Sequence, residues 1–424
     1  MERIKETRPP GGIPKKTETG GRLAALDTFR GFDILVMVFV NYIAGMKAIP
    51  WILRHAQAEM DTYTLTDLVF PGFLFIVGVA IPLSLGKRTL AGSSLGHVLA
   101  RIAVRTAGLV FLGVTQVNKG QFSAADTGLG EPLWYLLAYL AVIGLWNIYP
   151  RTENRRRRNL YVGLRLGAAL VLLILIILFR GRTEAGTVVW LQPSWWGILG
   201  QIGWAYLLCS LLYLASGGSR AALMGFLGLL IAFNAGNHLG ALNFLGAAGP
   251  HNMRAGGSCH GAIVLAGVIV GTLFAPSRKK TAPKAKSLFL LAYGIGLYLA
   301  GILLRPIQGI SKIRATESYA LVAAGLCSLA FLGFYLFLDV LKVRRWSKFL
   351  RPVGVNPLLA YILPDILISA LRLLSNLAGY DLGRWLWPFA ERGGAAGMLN
   401  ALIVTGLILL ITGLATRWKV ILKL

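Results

Sequence analysis

Twelve long apolar runs constrain this chain more than anything else in it. They lie near 30–47, 65–85, 98–117, 133–149, 160–179, 196–215, 221–235, 258–275, 287–304, 318–340, 353–374 and 395–416. A membrane span needs about 20 mostly apolar residues, and backbone in lipid must satisfy its own hydrogen bonds. The runs therefore predict an all-α, polytopic membrane helical bundle of about twelve transmembrane helices. The run at 221–235 is the shortest. Of the 424 residues 56% are apolar and 14% charged, against about 25% charged in a soluble domain. That excludes a soluble enzyme and a disordered chain. The net charge of +26 would suit nucleic acid in a polar protein. Here it reads as basic loops facing anionic lipid and cytoplasm, and no nucleic-acid partner is expected.

With the N-terminus placed inside and the spans alternating, 31 of the 43 Lys and Arg fall on inner segments and 12 on outer ones. The inner set includes Arg155–Arg158 and Arg278-Lys279-Lys280. The positive-inside rule then predicts both termini in the cytoplasm and an even number of spans. Residues 1–21 are polar and rich in Pro, Gly and Lys; they read as a disordered cytoplasmic tail. Residues 22–424 read as one domain, with no short-period or inverted repeat. The first apolar run is too long for the core of a cleaved leader. Three cysteines supply neither a disulfide framework nor metal-type spacing, so no metal is expected.

The unusual polar residues gather early. Asp27 and Arg30 are three apart and share a helix face. They form either an inner-surface ion pair or a polar mouth at which Arg30 meets a phosphate. Asn41 lies late in the first span, where a lone Asn commonly bonds another helix. His55 follows in the first outer loop. Asp67 then sits about one turn into the second span, where an unpartnered carboxylate is costly. A histidine with a carboxylate beside it suits general-base chemistry near neutral pH, and Asp67 is either its orienter or a polar anchor.

Four ordered segments carry a resemblance. They are Arg22-Leu23-x-x-Leu26-Asp27-x-Phe29-Arg30-Gly31, Met37-x-Phe39-Val40-Asn41-Tyr42, His55-Ala56, and Thr66-Asp67-Leu68-Val69-Phe70-Pro71-x-Phe73-Leu74-Phe75-Ile76-x-Gly78. Together they resemble heparan-α-glucosaminide N-acetyltransferase and its bacterial relatives in the transmembrane acyltransferase superfamily. Weaker matches follow at Trp196–Ile202, at Ile310-Ser311-Lys312 with Ser318-Tyr319, at Phe331–Asp339, and at Gly354-Val355-Asn356-Pro357-Leu358-Leu359-x-Tyr361. The resemblance implies transfer of acetyl from cytosolic acetyl-CoA to an extracytoplasmic sugar amine or hydroxyl. In that scheme Asn41 and His55 match the family's functional Asn and His. His55 is the base, Asn41 the oxyanion or thioester donor, and Arg30 the CoA-phosphate contact, with Asp27 beside it as a further cofactor-site candidate. Gln201 and Asn356 are further donor-site candidates, with helix packing as the alternative for Gln201. A covalent acetyl-His55 and direct transfer stay open.

The departures bear on the acceptor. Gln57-Ala58-Glu59-Met60 replaces a family Trp, Ile202 replaces a family Arg, and the fourth and fifth spans look inserted. Expected partners are acetyl-CoA, an extracytoplasmic glycan or amino sugar, and membrane lipid, with a homodimer left open. A bacterial inner membrane is the expected location. A secondary transporter of a sugar or lipid-linked intermediate is the alternative function, since Asp67 and Asp365 suit ion coupling. Asn356 and Asp365 are nine apart, which sets them about 180° round a helix. Asp339 is expected to pair locally with Lys342, Arg344 or Arg345. His238, His251 and His260 match no trusted metal motif, and the Trp190–Trp196 segment reads as an interfacial belt or a sugar-stacking surface.

Overall fold

The computed structural model describes residues 23–90, 92–246, 253–276, 281–383 and 393–422. The tail at 1–21, Arg22, the Arg278-Lys279-Lys280 cluster and His251 lie outside the described residues. A long helix stands at each of the twelve apolar runs. They are α1 (Ala24–Ile43), α2 (Leu65–Leu90), α3 (Leu95–Val117), α4 (Glu131–Trp146), α5 (Arg155–Leu178), α6 (Gly197–Ala215), α7 (Arg220–His238), α8 (Met253–Gly271), α9 (Pro283–Gln308), α10 (Glu317–Tyr335), α11 (Pro357–Ala378) and α12 (Gly394–Arg417). Short helices at Ala124–Thr127 and Arg351–Val355 and one antiparallel pair of two-residue strands, β1 (Gly181–Arg182) and β2 (Val188–Val189), fill the connections. The chain is thus an all-α polytopic membrane protein.

Ten of the helices are long and apolar enough to cross a membrane. The two others differ for physical reasons. α1 carries Asp27, Arg30 and Asp33 within its 20 residues. α4 has only 16 residues, about 24 Å of helix at 1.5 Å per residue.

Three helices form the centre. The apolar windows of α2, α8 and α10 are 67%, 72% and 61% buried, whereas that of α5 is 11% buried and faces outward. Glycine sets the closest approach. A Cβ on Gly78 of α2 would run into the Val264 carbonyl of α8, and one on Gly267 or Gly271 of α8 would run into the Phe75 or Val79 carbonyl. Gly267 and Gly271 are four apart, the small-xxx-small spacing that lets membrane helices touch through their backbones. Gly113 of α3 meets the backbone of Trp196 and Gly200 in the same manner.

The end of the bundle carrying Arg30 is tied together by backbone capping. α10 runs on into a π-helical turn, Leu336–Val340, which presents Asp339 to the start of α1. Its carboxylate accepts from Ala24 N–H (3.2 Å) and Ala25 N–H (2.8 Å). A negative group at a helix N-terminus satisfies free amides and complements the dipole. Asp339 does pair with Arg344, at 3.5 Å, but its capping partner lies over 300 residues away.

Candidate functional site

The site begins with the way α2 starts. Thr64 precedes the helix and Asp67 is its third residue. The Thr64 hydroxyl donates to the Arg54 carbonyl at 2.6 Å, so toward Asp67 it can only accept, from the Asp67 N–H at 3.4 Å. In return the Asp67 Oδ2 accepts from Thr64 N–H at 3.1 Å. This is a capping box with Asp in the place of the usual Glu or Gln.

The same carboxylate reaches across to the preceding loop. Its Oδ2 also accepts from Ala56 N–H at 3.1 Å, and its Oδ1 lies 2.7 Å from His55 Nδ1. Asp67 is fully buried, while the His55 side chain is 47% exposed. An ionised carboxylate only accepts, so Nδ1 carries the proton in this bond. In the neutral imidazole that makes Nε2 the accepting nitrogen, the arrangement a general base requires. The Tyr319 hydroxyl of α10 donates to the Asp67 carbonyl at 2.6 Å and fixes this turn of α2 to the bundle centre.

A cation completes the group. Lys312 comes from the loop between α9 and α10; its Nζ is 3.1 Å from His55 Nδ1 and 3.8 Å from Asp67 Oδ1. An ammonium only donates, so it cannot share Nδ1 with the His–Asp bond and serves Asp67 as a counter-charge. Burial pushes the Lys312 ammonium down to about 8, against the pull of Asp67, which raises it.

Two contacts hold this loop against the His55 loop. The Asp61 carboxylate accepts from Arg305 Nε (2.7 Å) and Ile310 N–H (2.6 Å), and Ser311 Oγ donates to the Ala58 carbonyl. Partial burial raises the Asp61 carboxyl, but the Ile310 N–H and the Arg305 guanidinium outweigh it and hold the group below the usual carboxylate range. His238 braces the far side, its ring nitrogens 3.1 and 3.0 Å from the Asn234 and Arg314 carbonyls.

The other sequence candidates fall in four places. Asn41 lies at the same end as His55, exposed in the last turn of α1; among the described residues its amide has no hydrogen-bond partner. Arg30 and Asp27 lie at the opposite end. Arg30 Nη1 donates to the Gly354 carbonyl at 3.3 Å and is 4.0 Å from Asp27. Around them Lys342, Arg344, Arg345, Lys348 and Arg351 are exposed, a basic rim at which phosphate oxygens can bind. Asn356 is fully buried, and both ends of its amide are taken: Nδ2 donates to the Val420 carbonyl and Oδ1 accepts from Leu422 N–H. It pins residues 420–422 beside the start of α11.

Asn356 precedes the first residue of α11, so the helical angle to Asp365 does not apply. Asp365 instead meets Lys119 (3.1 Å), Tyr139 (3.0 Å) and Gln116 (3.3 Å). Gln201 faces a cavity beside α8 and donates to the Trp195 carbonyl at 3.3 Å. No metal-holding group of His, Cys, Asp or Glu occurs among the described residues.

Sequence reasoning paired His55 with Asp67 but passed over Lys312 and Thr64. The Thr64-x-x-Asp67 spacing was a readable signal. Lys312 follows His55 by 257 residues, and no local pattern links them.

A family model described as "Domain of unknown function (DUF5009)" matches residues 22–243. Heparan-alpha-glucosaminide N-acetyltransferase of Homo sapiens is 41% identical over 97 residues, which is 23% of this chain and 14% of that protein. The protein of the same name from Mus musculus is 38% identical over 103 residues, 24% of this chain and 15% of its own length. The matched part is thus a small fraction of these curated relatives.

Proposed function

We propose, from the premise that the chain belongs to the DUF5009 family, that it is a transmembrane acetyltransferase. In this reading it moves acetyl from cytosolic acetyl-CoA to a sugar amine or hydroxyl beyond the membrane, in a bacterial inner membrane. The observation that carries the proposal is the 2.7 Å bond between His55 Nδ1 and the buried Asp67 carboxylate, which leaves Nε2 free to act. The likeness to the two acetyltransferases supports the reaction class.

CoA phosphates sit at the basic rim around Arg30, and the pantetheine arm reaches between the helices toward the His55 end. The acceptor arrives from the opposite side. Its nitrogen or oxygen gives a proton to His55 Nε2 and attacks the thioester carbonyl. The carbonyl oxygen becomes an oxyanion, and the Asn41 amide donates to it. Collapse breaks the C–S bond, and the leaving sulfur takes the proton back from His55. The products are the acetylated sugar and free CoA thiol. Asp67 keeps the ring in its Nδ1–H tautomer, and Lys312 balances the carboxylate.

The test is thiol release from acetyl-CoA by purified protein in lipid nanodiscs, with and without glucosamine or its methyl glycoside. Release rises with acceptor, and His55→Ala lowers it by about 10²–10⁴, the usual contribution of a positioned base. Wild type that never consumes acetyl-CoA with any sugar acceptor would sink the proposal and leave sugar transport as the better reading.

A further inference from the structure

At the His55 end α6 and α8 diverge around a cavity of about 260 Å³. Trp195, Trp196, Trp204 and Gln201 line one side, and His260, with Gly256 and Gly257, the other. The indoles of Trp196 and Trp204 meet edge to face, centroids 5.4 Å apart at 76°. Both rings line the cavity, nearly perpendicular to one another. Gln201 spends one N–H on the Trp195 carbonyl. Among the described residues its Oε1 and both ring nitrogens of His260 have no hydrogen-bond partner, so the polar edge of the cavity is open to a ligand.

The cavity is built into the packing. Trp196 is held at φ 68°, in the left-handed region, and Ser194 at φ 45°. A bulky residue at positive φ is a costly outlier that persists only where its surroundings enforce it. The enforcing contact is the Gly113 crossing, which abuts the Trp196 carbonyl. The glycines of the opposite wall behave differently from Gly267 and Gly271. A Cβ on Gly257 would meet nothing within 4 Å, and one on Gly256 only His260 Cε1 at 3.9 Å. These two glycines keep space open where the helices do not need to touch.

Position joins the cavity to the base. The His260 ring stands edge-on to Phe70, 5.1 Å away, and Phe70 lies one helical turn beyond Asp67 on α2. The lining also selects chemistry. Among the described residues no Lys, Arg or acidic residue lines it, so it suits neither a phosphate headgroup nor CoA. Gln201 and His260 are out of place against an acyl chain. The volume falls just under the roughly 300–1,000 Å³ of drug-sized sites, which suits a single ring. A pyranose presents weakly positive C–H faces to the negative faces of indoles and hydroxyls to amide and imidazole.

We infer that the cavity between α6 and α8 is a sugar-ring subsite, which seats one pyranose of the acceptor on Trp196 and Trp204 and holds its hydroxyls with Gln201 and His260. The assignment of that ring as acceptor rests on the acetyltransferase reading; the sugar site itself does not. Methyl β-glucosaminide titrated into nanodisc-embedded protein should quench tryptophan fluorescence saturably. Gly257→Leu fills the cavity without a backbone clash, and Trp204→Ala removes one wall. Each should raise the apparent Kd about tenfold or more, a factor equivalent to about 1.4 kcal/mol. Trp204→Phe keeps a ring and should stay within about threefold of wild type.

Absence of saturable quenching, or quenching unchanged in Gly257→Leu, overturns the subsite. So does quenching by choline or a short alkyl glycol in place of the glycoside. Acetyl transfer measured on the same samples separates the two proposals. Transfer with an unchanged acceptor KM in Gly257→Leu removes the subsite and leaves the acetyltransferase standing. Glycoside binding lost in Gly257→Leu, in a protein that never consumes acetyl-CoA, does the reverse.

Discussion

Asp67 illustrates how one carboxylate can begin a helix and orient an imidazole at the same time. Two backbone N–H groups and an imidazole bond to it, which offsets the cost of burying the charge. Lys312 has no such set of compensating bonds, and its chemistry predicts a pH signature. It loses its proton at about 8, whereas an unfolded lysine does so near 10.4. Between these values the unfolded chain holds a proton that the folded one lacks, so stability rises with pH across that window. Below about 8 both states are protonated, and the fold bears the whole cost of the buried ammonium. Lys312→Met should therefore melt at the same or a higher temperature at pH 7 and lose the rise above pH 8. Acetyl transfer in wild type should fall along a limb centred near pH 8. In Lys312→Met that limb should vanish and the plateau should drop roughly tenfold or more. A variant that melts lower and keeps the wild-type pH–rate profile would make Lys312 a structural residue only.

At the scale of elements, the glycine crossings decide which helices can be central. α2, α8 and α10 touch closely enough to exclude lipid, and α2 carries Asp67 while α8 carries His260. The Gly267 crossing should be intolerant of a single methyl group. Gly267→Ala forces the helices apart and should cost about 1–3 kcal/mol, as overpacking does. Gly296→Ala in α9 meets nothing within 4 Å and should be neutral or stabilising by up to about 1 kcal/mol, the helix-propensity difference. Thermal melting in detergent separates the two. Equal effects would mean that the α2–α8 contact carries no special packing. Prolines matter less than their number suggests. Pro71 and Pro82 lie within α2, yet the helix continues because its neighbours in the bundle hold it.

For the whole molecule, the polar groups are divided between two ends, a basic rim around Arg30 and the His–Asp–Lys group near Asn41. The distribution of Lys and Arg predicts that the Arg30 end faces the cytoplasm. Cys209, Cys259 and Cys327 are all buried, so background labelling by a membrane-impermeant maleimide should be low. In intact cells Glu184→Cys, in the loop after α5, should react from outside. Asn154→Cys, just before α5, should react only after permeabilisation. The reverse pattern would invert the orientation and remove the route from cytosolic acetyl-CoA to His55.

The sequence by itself determined the class of fold, because lipid forces each long apolar run into a helix, and a helix stands at all twelve. It also exposed the pairing of His55 with Asp67, since the two lie only 12 residues apart and an intramembrane carboxylate calls for a partner. What only the tertiary structure decided are contacts between residues that no local period relates. Lys312 reaches His55 through the packing of the α9–α10 loop. Asp339 caps α1 because a π-turn aims it there. Asn356 bonds Val420 and Leu422, more than 60 residues on. Trp204 and His260 line one cavity, where Gly256 and Gly257 leave space between α6 and α8. Helical periodicity reports which face of a helix is apolar; it carries no information about which other helix that face will meet.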